Sequence, residues 1–241
     1  PPSSPGKQLK HRCCQILSCN VSMHKKSVFI SRDSSTILPC IHLLNQWGID
    51  VTAQPLLRYE PVAFQCPPDT WDWVFFSSRN AVQFFFAKQA AGNFKYAAIG
   101  PATYTELAKY VNVSFAGKDY DTQKTAHEFA RLAEASKILF PCGNNSLRTV
   151  QKFFPASQVI EVVCYEAIRL VTVIGAHDAY VVLSPENARL MMDDTSINHQ
   201  AVFFVLGEPT AEVLIGHDIS NIHFLPHGDS LAWASSIQTS I

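Results

Sequence analysis

The chain has 241 residues, of which 47% are hydrophobic and 16% charged, and its formal net charge is -1. This length lies between one large domain and two domains of ordinary size, and the near-neutral charge excludes a general electrostatic attraction to nucleic acid or to an anionic membrane. No apolar run approaches the ~18 residues that a membrane-spanning helix requires.

Residues 1–26 differ from the rest of the chain because they contain several basic residues and no acidic one; the first acid is Asp33. They also lack apolar periodicity, so we expect a disordered N-terminal extension, with Met23 as a natural start just before the first strand. A transit peptide would share this composition and stays open as the alternative.

From Ser27 onward, short apolar runs alternate with longer stretches of helical spacing. The runs predict strands at Val28–Ile30, Asp50–Ala53, Trp73–Phe76, Tyr96–Ile99, Val113–Phe115, Ile138–Phe140, Val159–Val163, Tyr180–Leu183, Val202–Leu206 and Ile222–Leu225. Helices are predicted between most of them, for example at Ile37–Trp47, Ala81–Ala91, Thr103–Tyr110 and Thr125–Ala135. This alternation is typical of parallel sheets covered by helices, so we predict an α/β fold with ten strands in two sheets of five.

The predicted elements contain an internal repeat. One strand ends at Ser77, and 23 residues later Gly100 begins a Gly-x-x-Thr turn; Ser184 and Gly207 repeat this pattern at the same distance. The repeated turns lie at the carboxyl ends of predicted strands, which is where open α/β sheets bind ligands. The repetition therefore indicates one two-sided cleft.

A strand–helix–strand unit precedes each copy of the repeat, and these units end near Tyr59 and Tyr165. With A and A′ for these units and B and B′ for the two copies of the repeat, the order along the chain is A-B-A′-B′. Each tandem half can fold alone, or B can pair with A′ while A reaches across to B′. The periodicity does not choose between these arrangements. The extended stretches 51–59 and 159–171 would suit the two strands that the crossed arrangement needs.

The repeated turns have a plain structural role as well as a possible functional one. Ser and Thr side chains there can cap helix N-termini, and Gly allows a tight turn. Such caps are routine, and one alone indicates capping rather than function. Several helix N-termini gathered at one edge nevertheless favour a carboxylate or phosphate ligand, because their N–H groups and dipoles attract negative charge.

Familiar catalytic and cofactor patterns are absent from the sequence. It contains no glycine-rich nucleotide-binding motif, no Gly-x-Ser-x-Gly and no pair of histidines at ligand spacing. The seven cysteines are scattered and odd in number, which favours a reducing, cytoplasmic compartment over a disulfide framework. We therefore predict a site of hydroxyls, backbone amides, a few basic side chains and a tyrosine, with no metal and no cofactor.

Six short motifs follow one another in a distinctive order. They are FSSRNAV (76–82), AIGPAT (98–103), LFPCGN (139–144), VCY (163–165), LSP (183–185) and GEPTA (207–211). Each alone is little more than a strand followed by a turn. In order and spacing, however, they resemble the uroporphyrinogen-III synthase family, and the resemblance runs from about Val28 to about Trp233.

This resemblance implies two similar α/β domains joined by a two-stranded connector, with the catalytic cleft between them. It selects the crossed arrangement, with one domain at 27–57 and 172–241 and the other, including the connector strands, at 58–171. The implied enzyme is a cofactor-independent, cyclising hydro-lyase of tetrapyrrole (heme) biosynthesis. It closes linear hydroxymethylbilane to uroporphyrinogen III, with inversion of ring D and loss of water. We expect a monomer that binds neither nucleic acid nor membrane.

The resemblance also assigns roles to individual residues. Tyr165 matches the tyrosine that is the leading candidate to assist departure of the hydroxyl, and an anchoring role in the connector is the alternative. The residues that match substrate-binding positions are Ser77, Ser78, Thr103, Ser184, Thr210, Arg32 and Arg148. Two registers stay open for the first serine turn, because the Ser-x-Asn-Ala pattern favours Ser78 and the internal repeat favours Ser77.

One turn departs from the family's pattern. Glu208 and Pro209 stand where the family commonly has Pro and Thr, and the Glu208 carboxylate would repel an acidic substrate unless it points away. Two other functions stay open: a non-enzymatic two-domain binder of an anionic small molecule, and a flavodoxin-like or response-regulator-like domain pair. Against the second, no acidic cluster follows the first strand.

Overall fold

The computed structural model describes residues 25–68, 71–119 and 121–241. The strands are β1 (Ser27–Ile30), β2 (Asp50–Ala53), β3 (Leu57–Pro61), β4 (Trp73–Phe76), β5 (Lys95–Ala98), β6 (Val113–Ala116), β7 (Ile138–Gly143), β8 (Val159–Arg169), β9 (Ala179–Val182), β10 (Val202–Val205) and β11 (Ile222–Phe224). The α-helices are α1 (Leu38–Gln46), α2 (Arg79–Phe86), α3 (Pro101–Leu107), α4 (Thr122–Leu132), α5 (Pro185–Met192), α6 (Glu208–Ile215) and α7 (Ser230–Ser240). The extension predicted at 1–26 lies almost entirely outside the described residues.

The strands form two sheets. One has five strands, all parallel, in the order β11-β10-β9-β1-β2. The other has six, in the order β3-β8-β7-β4-β5-β6, and takes them from one continuous stretch of the chain. The five-stranded sheet combines two strands from the beginning of the chain with three from its end. The predicted α/β class is confirmed, but the prediction of ten strands in two sheets of five is wrong.

The additional strand is β3, which lies at the edge of its sheet and pairs antiparallel with β8. Leu57 lies opposite Arg169, and Pro61 lies opposite Tyr165. The sequence pattern obscured β3 because an edge strand is only partly buried and tolerates charged residues and proline. Strand β8 extends beyond its predicted end because its first half pairs with β7 and its second half with β3.

Both sheets are buried on both faces. In β4, Trp73 and Phe75 belong to the core beside α4, whereas Val74 and Phe76 belong to the core beside α2. The central strands of the five-stranded sheet divide their residues between two cores in the same way. Burial on both faces explains why these strands are continuous apolar runs rather than alternating ones. Each fully buried side chain of this size contributes about 2 kcal/mol to folding.

The helices of the described ranges are short. None of them combines the length and the apolar character that crossing a lipid bilayer requires. Their role in the fold is to cover the sheets, and the turns that precede them bring polar side chains to the carboxyl ends of the strands.

Candidate active site

The two serine turns have almost identical geometry. Ser78 precedes α2, and its Oγ accepts a hydrogen bond from the Ala81 N–H at 3.1 Å. Ser184 precedes α5, and its Oγ accepts from the Asn187 N–H at 3.2 Å. The backbone angles are φ −155°, ψ 156° and φ −154°, ψ 156°. Ser78 is therefore the structural counterpart of Ser184, whereas Ser77 is exposed and outside the cap. The distance from the capping serine to the glycine of the Gly-x-x-Thr turn is therefore one residue shorter in the first copy of the repeat than in the second.

The two Gly-x-x-Thr turns also match each other, but their threonines are not helix caps. Gly100 and Gly207 occupy the cap positions of α3 and α6, and neither helix has a side-chain cap bond. Thr103 and Thr210 lie one turn inside these helices and are buried, with 5% and 4% of their surface exposed. The expectation of threonine caps is wrong, because each helix begins earlier than its threonine. The glycine caps leave first-turn N–H groups without a side-chain acceptor.

Tyr165 is in direct contact with the first serine turn. Its phenolic oxygen lies 3.2 Å from the Oγ of Ser78, and either hydroxyl can donate this hydrogen bond. The ring stacks on Phe84 of α2, with centroids 5.3 Å apart, and meets Tyr59 of β3 edge-on at 5.7 Å. These contacts hold the ring while its hydroxyl lies at the N-terminus of α2.

A β-bulge sets the direction of the Tyr165 side chain. The register between β7 and β8 shifts by one residue just before Gly143, which pairs with Tyr165. Val162 and Cys164 face the core beside α2, so regular alternation would turn Tyr165 to the opposite face. The bulge returns it to the α2 side. A Cβ atom at Gly143 would lie 2.6 Å from the Tyr165 ring, so this position requires glycine.

The environment keeps the Tyr165 phenol protonated. Burial raises its pKa above the usual value near 10, and the hydrogen bond with Ser78 only opposes that rise. Burial, and then the carboxylate of Glu186, raise the pKa of Tyr59 as well. At neutral pH, Tyr165 is therefore a hydrogen-bond donor and a weak acid, which can assist a departing hydroxyl but cannot act as a strong base.

The two arginines that were predicted to bind substrate have different partners within the protein. Arg32 follows β1, is half-buried, and places its guanidinium carbon 5.8 Å from the centre of the Trp233 ring. Burial and then the charge of Arg79 lower the pKa of Arg32. Arg148, with φ 54°, instead places its Nε 3.0 Å from both carboxylate oxygens of Glu161. Its charge is already balanced within the protein.

Sequence reasoning missed Arg79 and Phe84, both on α2. Arg79 occupies the variable position of the Ser-x-Asn-Ala pattern, so the pattern assigns no role to it. The signal that could have indicated it is a basic residue at the first position of a helix, which the helix dipole disfavours. Glu208 shows the converse case. It is exposed in the first turn of α6, where its negative charge complements the dipole.

The buried thiols do not offer a nucleophile. Burial raises the pKa of Cys40 and Cys142 to about 11 and that of Cys164 to about 12, so all three are protonated at neutral pH. Over the ranges that the structure describes, no group of three His, Cys, Asp or Glu side chains is placed to hold a metal ion.

A family model described as Uroporphyrinogen-III synthase HemD matches residues 40–227, which is most of the chain. The chain belongs to this family. The matched segment includes Ser78, Thr103, Tyr165, Ser184 and Thr210. Family membership makes the chain an enzyme with a cyclising, lyase-type reaction and a small-molecule tetrapyrrole substrate. The individual roles of the site residues stay predictions.

Solved structures of uroporphyrinogen-III synthases share the fold. The synthetase from Helicobacter pylori is 14% identical, with a TM-score of 0.63 over 89% of this chain and 99% of that one. A mutant synthase from Thermus thermophilus is 10% identical, with a TM-score of 0.61 over 89% of this chain and 98% of that one. At these identities the likeness shows the fold alone. Comparison with curated protein sequences gives no significant match.

Proposed function

We propose that the chain cyclises linear hydroxymethylbilane to uroporphyrinogen III, with inversion of ring D and loss of water, in tetrapyrrole (heme) biosynthesis. The observation that carries this proposal is the family match over residues 40–227. The site chemistry supports it, because Ser78 at the N-terminus of α2 contacts the protonated Tyr165, and both serine turns follow the carboxyl ends of parallel strands.

The substrate's charge suits this arrangement. Hydroxymethylbilane carries eight carboxylates, and helix N-termini bind such groups through N–H donors and the helix dipole. Four helices, α2, α3, α5 and α6, begin at the carboxyl ends of strands, two on each sheet.

We further propose that each sheet with its helices is one domain, at 27–57 with 172–241 and at 58–171. Substrate would then bind between them.

Tyr165 would act on the hydroxyl that leaves. The C–O bond breaks with its electron pair going to oxygen, and the phenol of Tyr165 donates a hydrogen bond or a proton, so that water departs. The nitrogen of the pyrrole ring that carries the hydroxymethyl group supplies the electrons, so that this ring becomes an azafulvene-like cation. The substituted carbon of ring D then attacks this cation to form a spiro intermediate. Rearrangement and loss of a proton then give the inverted ring. Positioning of an already reactive substrate contributes more than acid strength.

Several further properties belong to the same proposal. The reaction as written needs neither a redox partner nor a Lewis acid, so we propose that no cofactor is used. We also propose that the enzyme acts as a cytoplasmic monomer without binding nucleic acid or membrane. Size-exclusion chromatography with light scattering, and activity after dialysis against a chelator, test these properties directly.

The decisive experiment is incubation with enzymatically prepared hydroxymethylbilane. The products are oxidised to porphyrins and the type I and type III isomers are separated by chromatography. We expect type III to dominate in proportion to enzyme concentration. Exclusive formation of the type I isomer, as in the enzyme-free control, would contradict the proposal. Tight binding of the substrate without turnover would instead favour the non-enzymatic binder.

A further inference from the structure

The turn that follows β1 is tied by hydrogen bonds to the turn that follows β9. The Ser31 N–H donates to the Val181 carbonyl oxygen at 3.0 Å, and the Leu183 N–H donates to the Ser31 Oγ at 3.3 Å. Ser31 is buried, with 4% of its surface exposed, and the next residue in the chain is Arg32. The position of Ser31 therefore determines where the backbone of Arg32 leaves the sheet.

Asn187, in the first turn of α5, contacts both turns. Its backbone N–H donates to the Ser184 Oγ at 3.2 Å, and its side-chain Nδ2 lies 3.3 Å from both the carbonyl oxygen and the Oγ of Ser31. Because a carbonyl oxygen can only accept, Nδ2 rather than Oδ1 faces Ser31. One side chain thus joins the serine turn of α5 to the residue that precedes Arg32.

The start of the helix does not itself require this amide. The residue at the same position of α2 is Ala81, whose N–H donates to the Ser78 Oγ at 3.1 Å. The backbone angles of the two capping serines differ by only one degree in φ. Since alanine gives the same cap in the first copy of the repeat, the amide of Asn187 serves the contact with Ser31 rather than the cap.

The Asn187 amide also has an energetic cost. Its Oδ1 is buried, and no residue in the described ranges donates a hydrogen bond to it. A buried acceptor without a donor destabilises the folded state, so native proteins keep such groups rarely and where function requires them. The half-satisfied amide therefore points to a role in the site rather than in stability alone.

We propose that Asn187 is a positioning residue of the substrate site, which holds Ser31 so that the Arg32 guanidinium can bind a carboxylate of the substrate. The proposal rests on the proposed function, because the linear tetrapyrrole supplies the carboxylate. Arg32 is half-buried, with its guanidinium carbon 5.8 Å from the centre of the Trp233 ring. A guanidinium group donates two parallel hydrogen bonds to a carboxylate, and this geometry makes binding sensitive to small displacements of its backbone.

The first test is the steady-state kinetics of Asn187→Ala, a change that gives α5 the residue found in α2. We expect KM for hydroxymethylbilane to rise about threefold to tenfold, as when one charge-assisted hydrogen bond is weakened, while kcat changes less than about threefold. Asn45→Ala is the matched control, because Asn45 is exposed near the end of α1 and should keep the wild-type KM. A wild-type KM for Asn187→Ala would overturn the proposal.

The second test asks whether Asn187 acts through Arg32. In an Arg32→Gln background, Asn187→Ala should change KM by less than about twofold, because no guanidinium group is left to position. Ser31→Ala is a second, milder variant, since it removes the hydroxyl and keeps the carbonyl that Asn187 bonds. Its rise in KM should be smaller and should also vanish in the Arg32→Gln background. Effects that multiply with that of Arg32→Gln would contradict a role through Arg32.

The third test has a readout other than activity. Uroporphyrin III, the oxidised octacarboxylate of the expected product, should raise the unfolding temperature of wild type by binding to it. Asn187→Ala and Arg32→Gln should each reduce this rise, and the double variant should reduce it no further than Arg32→Gln alone. A lower unfolding temperature of ligand-free Asn187→Ala with an unchanged rise would show a structural role instead. If wild type forms no type III isomer but the rise still depends on Asn187 through Arg32, the proposed function fails and the positioning role stands.

Discussion

The phenolic oxygen of Tyr165 and the Oγ of Ser78 lie 3.2 Å apart, although Tyr165 lies on β8, Ser78 caps α2 and 87 positions separate them. Ser78 at the same time accepts a hydrogen bond from the Ala81 N–H at the start of α2. One hydroxyl thus links the tyrosine on β8 to the positive end of a helix dipole, which favours negative charge on a group bound there. We propose that the departing oxygen of the substrate gains its charge here and accepts a hydrogen bond from Tyr165.

Replacement of Tyr165 by Phe removes the donor and keeps the ring. We expect kcat for formation of the type III isomer to fall about tenfold, because general acid assistance is lost while positioning remains. The stacking on Phe84 and the edge contact with Tyr59 persist, so the free energy of unfolding should change by less than about 1 kcal/mol. Initial rates with hydroxymethylbilane and urea unfolding measure the two quantities.

Tyr110→Phe is the matched control for that experiment. Like Tyr165, Tyr110 stacks on a phenylalanine, Phe86, with centroids 4.7 Å apart. Tyr110 is exposed, however, and Phe86 is the last residue of α2, at the opposite end from the serine turn. It should keep the wild-type rate. A wild-type rate for Tyr165→Phe as well would reduce Tyr165 to an anchoring residue of the connector.

The adjacent serines at 77 and 78 should behave differently when each is changed to Ala. Ser78→Ala removes a helix cap and the contact with Tyr165, so we expect a loss of about 1 kcal/mol in the free energy of unfolding together with a lower rate. Ser77→Ala should leave both unchanged, because Ser77 is exposed and outside the cap. Ser184→Ala removes the equivalent cap bond to Asn187 but no contact with Tyr165, so its loss of stability measures the cost of such a cap. An effect of Ser77→Ala as large as that of Ser78→Ala would contradict the register that we assign.

Much of the fold could be predicted from the sequence because the central strands are buried on both faces. Runs such as Trp73–Phe76 and Ala179–Val182 are continuously apolar, and this pattern is hard to mistake. The edge strand β3 was absent from the ten predicted strands and was indicated only by the extended stretch at 51–59, because its burial is partial and its residues are partly charged. Periodicity also could not reveal that β1 and β2 pair with strands from the other end of the chain, because pairing between distant strands depends on tertiary packing.

The candidate site was only partly predictable, for a local reason in each case. The repeat identified both serine turns, but a one-residue difference in loop length misaligned Ser77 with Ser184. The bulge that turns Tyr165 toward α2 arises from pairing between β7 and β8, and nothing in the sequence of β8 alone indicates it. Arg79 occupies the variable position of the Ser-x-Asn-Ala pattern, so the pattern does not distinguish it.

Gly143 allows the Tyr165 ring to approach β7, and Gly143→Ala should therefore disturb it. The added Cβ would lie 2.6 Å from the ring, so either the strand or the ring must move. We expect a loss of about 1–3 kcal/mol in stability, typical of overpacking, and a lower kcat. Gly216→Ala is the control, since Gly216 has a helical φ of −63° and its nearest neighbours would lie at 3.4 Å. Equal effects of the two substitutions would show that the approach of the Tyr165 ring does not require glycine at this position.

The raised pKa of Tyr165 predicts how stability depends on alkaline pH. Below the unfolded value, near pH 10, the phenol is protonated in both states and its contribution is constant. Above pH 10 the unfolded chain loses the proton first, because burial raises the pKa of the folded state, and folding becomes less favourable. Wild type should therefore lose stability more steeply than Tyr165→Phe between about pH 10 and 11, in urea unfolding measured at several pH values. Equal slopes of the unfolding free energy against pH for wild type and Tyr165→Phe would show that the phenol is not buried enough to resist ionisation.

Thr210→Val separates substrate binding from helix capping at the second Gly-x-x-Thr turn. Since Gly207 and not Thr210 occupies the cap position, and Thr210 is 4% exposed, we expect the free energy of unfolding to change by less than about 1 kcal/mol. Loss of a hydroxyl that bonds a substrate carboxylate should raise KM for hydroxymethylbilane about threefold to tenfold. Thr105→Val, on an exposed part of α3 where the hydroxyl only bonds the Pro101 carbonyl at 3.0 Å, is the control and should leave KM unchanged. A wild-type KM with reduced stability for Thr210→Val would assign the hydroxyl to the fold and remove this turn from the substrate site.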